Sequence, residues 1–255
     1  MNDVSLVPVV DVEAELDALA LRYSKAGGIG IDLLNTLGTQ ADGLIQRLPE
    51  KMRDGLQDAT IAALNHAMTA ACKSRDVVPD QAGWLNSTVS AAMGAVGGFG
   101  GLPTALAELP VTTTLLLRVI NGVAAEHGFD PAQDNVQIDC VQVFAAAGPL
   151  EHDDGADIAF LSARMALSGA AMQSIIARVA PRLATVLGQK LAAQAVPVLG
   201  AVAGAATNYA YTSYYTDMAH VHFGLRKLAI NADQPREVLV ARLRDRLEQS
   251  PVKRG

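Results

Sequence analysis

The sequence predicts an all-α protein, a single multi-helix bundle of about eight to eleven helices. Apolar residues recur at the three-to-four spacing of one helix face along most of the chain, while period-two alternation is almost absent. Half of the 255 residues are apolar but only 4% are aromatic, so the apolar mass is Ala, Val, Leu and Gly, which suits close helix packing. Proline and glycine stand between the periodic stretches, at helix starts and stops. The same composition excludes an intrinsically disordered chain, a collagen and a disulfide scaffold.

Val12, Leu16, Leu19 and Tyr23 form the first face, with Asp11 placed to cap it and Gly27-Gly28-Ile29-Gly30 breaking it. Leu33, Leu37, Ala41, Leu44 and Leu48 form a second set that stops at Pro49. Met52, Leu56, Ala59, Ala63, Ala67 and Ala70 form a third, on whose stripe His66 falls as a core histidine. Lys73 to Asp80 reads as a loop, and the chain then turns glycine-rich up to Gly100-Gly101. Pro103 and Pro110 each suit a helix start, and the helix after Pro110 carries Leu115, Leu116, Val119, Val123 and Ala124 before Gly128 ends it. Asp130-Pro131-Ala132-Gln133 opens the next helix, with Asp130 as cap and the stripe Val136, Cys140, Val143 and Ala147. Glu151 to Gly155 is an acidic surface loop, followed by one or two Ala/Leu-rich helices to about Lys190, interrupted at Pro181. Pro197 opens a segment running through Asn208 and Tyr215 towards Ile230. Asp233-Gln234-Pro235 starts a last helix in which Leu239, Leu243 and Leu247 repeat every four.

Charge is unevenly spread. Residues 1–90 carry a net −5, residues 91–160 a net −8 and residues 161–255 a net +7, for −6 in all. An acidic front and a basic back attract each other within one fold or between two copies, so a homo-oligomer stays open. The basic end, Arg236, Arg242, Arg244, Arg246, Lys253 and Arg254, suits a solvated helix face or an anionic lipid surface. A pI near 5.3 and the absence of aromatic residues from that stretch argue against nucleic acid. Cys72 and Cys140 lie far apart without a Cys-x-x-Cys motif and read as buried thiols of a reducing cytosol. The N-terminus has no basic n-region and is not a secretory signal. Residues 81–107 and 191–216 carry no charge, but their glycines, amides and hydroxyls suit contact with a bilayer surface better than a span.

Gly94-Ala95-Val96-Gly97-Gly98 and Gly200-Ala201-Val202-Ala203-Gly204 echo each other, and Gly94 with Gly98, and Gly200 with Gly204, suit close helix contact. The order of several motifs resembles the bacterial EcsC protein family. They are Tyr23-Ser24-Lys25-Ala26-Gly27-Gly28, then Gly97-Gly98-Phe99-Gly100-Gly101-Leu102-Pro103, then Glu108-Leu109-Pro110-Val111-Thr112-Thr113-Thr114 running into Leu117-Arg118-Val119-Ile120. His127-Gly128-Phe129-Asp130-Pro131 and Val196-Pro197-Val198-Leu199-Gly200-Ala201 through Asn208 complete the set. The resemblance spans residues 13–232 and leaves 233–255 as a basic amphipathic helix and tail. It implies a bacterial cytoplasmic protein peripheral to the inner face of the membrane, and no catalytic residue set to carry over.

Five polar residues stand out: Glu108, Arg118, Asn208, Asp217 and His220. Arg118 is the one basic residue between 91 and 160, and a charge so isolated in an apolar helix calls for a partner such as Glu108 or Asp217, or for a ligand anion. Asn208 sits in a small, apolar helix where a buried amide fixes packing. Asp217 and His220, three apart, share a helix face as half of a dinuclear-metal motif. The second half is missing, so the pair reads as hydrogen-bonded and no metal or other cofactor is expected. Tyr209, Tyr211, Tyr214 and Tyr215 suit packing or an interface. No phosphate loop, nucleophile elbow or paired Cys/His spacing occurs. The expected function is non-enzymatic association with a membrane surface or a membrane-protein partner. The alternatives are metal-assisted hydrolysis around Asp217 and His220, and carriage of an apolar ligand.

Overall fold

The computed structural model describes residues 10–26, 58, 60–67, 101–144, 161, 174, 176, 177, 180 and 197–249, with the backbone alone for 101–110, 197–204 and 207. Five helices with described bounds carry the fold: α1 (Val12–Lys25), α2 (Gly101–Glu126), α3 (Asp134–Val143), α4 (Pro197–Asn231) and α5 (Arg236–Gln249). Residues 60–67 are helical as well, and no strand occurs among the described residues. The set 33–48, the glycine-rich run with Gly94 and Gly98, Cys72, and most of 158–190 lie outside the described residues.

Helix α4 is the hub, about 52 Å long at 1.5 Å per residue, and α1, α2, α3 and α5 all pack on it. Asp11 caps α1 as its position predicts, its Oδ1 accepting the amides of Glu13 and Ala14 at 3.1 Å each. Leu16, Leu19 and Tyr23 are the buried face of that helix. Leu19 lies against Gly224 and Arg22 reaches Asp217, so α1 runs antiparallel to α4. The close backbone approach seen among the described residues is at Gly224, where a Cβ would stand 2.8 Å from Leu19 Cδ2. Gly200 and Gly204 fall in the first turns of α4, where the backbone alone is described.

Helix α2 is one continuous helix, so Pro110 does not start it. Pro103 sits in the first turn, where a missing N–H costs nothing, whereas Pro110 lies inside and removes one helical hydrogen bond. Its end matches the expectation. Gly128 takes φ +87°, the Phe129 amide bonds Ala124 O and the Gly128 amide bonds Ala125 O, both at 2.9 Å.

Helix α3 begins at Asp134, later than expected, because Asp130 spends its carboxylate on a turn. Its Oδ1 accepts the Ala132 amide at 2.9 Å and its carbonyl accepts the Gln133 amide at 3.1 Å. Ile138, Asp139, Val141 and Gln142 are buried beside the predicted Val136, Cys140 and Val143, so α3 is enclosed nearly all round.

The same capping geometry recurs at the end of α4 with Asp233 at φ 50°, its neighbour Gln234 bonding Ala229 O at 3.1 Å. Asp233 therefore ends α4 and does not open α5. The buried face of 60–67 is Thr60, Ala63, Leu64 and Ala67, which keeps Ala63 and Ala67 of the expected stripe, but His66 is exposed and is not a core histidine. Three of the four clustered tyrosines are core. Tyr215 meets Phe144, Tyr211 and Tyr214 with ring centroids 5.0, 6.3 and 5.4 Å away, and Tyr209 alone is exposed. No helix among the described residues is long and apolar enough to cross a membrane.

Candidate functional site

The polar chemistry gathers on the C-terminal half of α4. Asp217 and His220 share a face there, as their spacing predicts, but each reaches a different neighbour. Asp217 Oδ1 pairs with Arg22 Nη1 of α1 at 3.7 Å. His220 Nδ1 lies 3.1 Å from His127 Nε2, in the turn after α2, with the two rings edge to face. Glu126 Oε2 stands 3.8 Å from His220 Nε2. Burial lowers both histidines from their ordinary value. Lys227 and Arg22 lower His127 further, and Arg22 and His127 help bring His220 down to about 4. At neutral pH both rings are uncharged, so one donates and the other accepts.

Two residues further on, His222 faces another side of α4 and is wholly buried. Its Nε2 lies 3.3 Å from Asp139 Oδ1, and Arg236 Nη2 of α5 is 3.1 Å from its Nδ1. Arg226, one turn along α4, binds Asp139 Oδ2 at 2.5 Å and lies over the Phe129 ring, 4.4 Å from its centroid. Burial raises the Asp139 carboxyl, but the hydrogen bond with His222 and the nearby Arg226 and Arg236 charges hold it below its ordinary value. Burial and Arg236 lower His222. A neutral ring then donates from Nε2 to Asp139 and accepts at Nδ1 from Arg236. This cluster ties α3, α4 and α5 together around one carboxylate and two guanidiniums.

The other expected residues stand elsewhere. Asn208 is buried on α4, twelve residues and about 18 Å along the helix from His220. Arg118 is half-buried on α2, nine residues and about 13 Å from His127. The Glu108 side chain lies outside the described residues. No group of three or more His, Cys, Asp or Glu side chains is placed to hold a metal among the described residues.

Sequence reasoning missed His127, Asp139, His222, Arg226 and Arg236 as partners. A signal existed for three of them: Asp139 is an acid within the apolar run of α3, and His222 and Arg226 stand at the i,i+4 spacing of helix neighbours. The Arg236 contact depends on how α5 folds back, which no local spacing encodes.

The sequence pattern of the EcsC protein family matches residues 45–228. That span holds α2, α3 and most of α4, and leaves α1 and α5 outside it. No curated protein and no solved structure matches the chain.

Proposed function

The chain belongs to the EcsC protein family, and we propose that it works by association, docking from the cytoplasm on an anionic membrane surface and performing no reaction of its own. One observation carries this reading: among the described residues, Arg22, Asp217, His127, His220 and the Asp139 cluster join helices to one another. Arg22 with Asp217 links α1 to α4, His127 with His220 links the end of α2 to α4, and the Asp139 cluster links α3, α4 and α5. Such pairs build a scaffold of fixed shape.

The bilayer is favoured as partner by the net +7 of residues 161–255 and by exposed apolar side chains next to cations. Leu21 on α1 is 54% exposed with Lys25 one turn on, and Ile230 on α4 is 64% exposed with Lys227 one turn back. An apolar residue that dips into the headgroups beside a cation that meets a lipid phosphate is the chemistry of a peripheral protein. The wider bundle of eight to eleven helices read from the sequence belongs to the same proposal.

Flotation with vesicles tests it. The protein should float with phosphatidylglycerol-containing vesicles at low salt, stay behind with pure phosphatidylcholine, and be released as salt rises. Failure to float with either at low salt removes the lipid reading. Stoichiometric metal in the purified protein would replace it with the hydrolase reading.

A further inference from the structure

Arg242 and Arg246 stand one turn apart on α5, on the side that meets α1. Both bind Glu13: Arg242 Nη2 contacts Oε1 and Arg246 Nη2 contacts Oε2. Arg246 also donates from Nε to Asp17 Oδ1 at 2.7 Å. Glu13 and Asp17 are themselves one turn apart, so two guanidiniums of one helix meet two carboxylates of the other in register.

The carboxylates are the outer members of this cluster, with side chains 64% and 70% exposed, against 29% and 22% for the arginines. Leu239, Val240 and Leu243 are the buried residues of α5, so apolar burial seats the helix alongside these ion pairs. Both helices fall outside the residues matched by the family pattern.

We infer that the acidic face of α1 masks an anion-binding face of α5, and that an anionic lipid surface competes with Glu13 and Asp17 for Arg242 and Arg246. The inference rests on the membrane reading above and adds the site and its control. Exposed ion pairs are weak and are screened by salt, so the exchange needs little free energy. Long arginine stems let both guanidiniums swing from the seam to lipid phosphates while α5 keeps its packing.

Flotation of the full chain on equimolar phosphatidylglycerol and phosphatidylcholine vesicles tests this with three double variants. E13Q/D17N unmasks the arginines; E15Q/E248Q removes the same two negative charges from exposed positions of the same helices; R242Q/R246Q removes the site. Circular dichroism and thermal midpoints confirm that each is folded. E13Q/D17N should bind more tightly than wild type, by about fivefold for each guanidinium released. E15Q/E248Q should gain far less, and R242Q/R246Q should lose most binding. Equal gains in E13Q/D17N and E15Q/E248Q, or full binding by R242Q/R246Q, would overturn the inference and leave the membrane reading standing. Failure of every protein to float would overturn both.

Discussion

Asp139 shows what one residue does here. Its carboxylate binds Arg226 and feels the charge of Arg236, and His222 is wholly buried beside it. Asp139→Asn leaves two guanidiniums with an amide between them, and breaking a buried pair from one side costs about 3–5 kcal/mol. Urea denaturation should show that loss, and the further change Arg226→Met should recover part of it. His220 sets a different dependence. Its folded value of about 4 is depressed from 6.5, so the unfolded chain takes up a proton first as pH falls. The stabilisation is complete above about pH 6.5 and is lost as pH falls towards 4, with His127 shifted in the same direction. With solvent screening allowed for, the loss is about 2 kcal/mol. Comparing denaturation at pH 7 and pH 4.5 checks this: His220→Gln should remove most of the difference attributable to that ring.

At the scale of elements, the approach of α1 to α4 is set by Gly224. A methyl there would press on Leu19 Cδ2, which is itself buried, so the usual helical gain of Gly→Ala is outweighed by overpacking. Gly224→Ala should destabilise by about 1 kcal/mol, and Leu19→Ala in the same chain should cost less than it does alone. Thermal midpoints of the four proteins give the coupling. The sequence made much of this element structure legible, because caps and stripes are local. Asp11, the face Leu16-Leu19-Tyr23, the terminator Gly128 and the start at Pro197 stand where the residues put them. It misled where one residue type serves two ends. Asp233 looks like a cap for α5 but takes the left-handed conformation that closes α4, as Gly128 does for α2. Asp130 likewise serves a turn before its helix. Of the candidate site, Asp217 with His220 was legible as a shared face, while their partners Arg22, on α1, and His127, in the turn after α2, are related to them by no spacing.

Across the whole molecule the charge blocks are the organising fact. Acids of α1 meet arginines of α5, so the acidic front and basic back pair within one chain, while Arg22 of α1 and Asp217 of α4 pair with the signs reversed. Each exposed pair contributes little, about 0.2–1 kcal/mol, but several act on the same helix. Salt then has two opposing effects. It screens the pairs that hold α1, and it screens the repulsion of a chain with net charge −6. The contacts lie within 4 Å while the net charge is spread over 255 residues, so the first effect dominates. Raising salt to about 0.5 M should lower the stability of the wild-type protein by roughly 1 kcal/mol. In E13Q/D17N the α1–α5 pairs are gone while the diffuse repulsion remains, so its stability should be flat or rise over the same range. Thermal melts of the two proteins across a salt series decide it: parallel slopes would mean that the α1–α5 pairs contribute nothing to the fold and that the two helices are held by their buried apolar faces, Leu16, Leu19 and Tyr23 on α1 and Leu239, Val240 and Leu243 on α5.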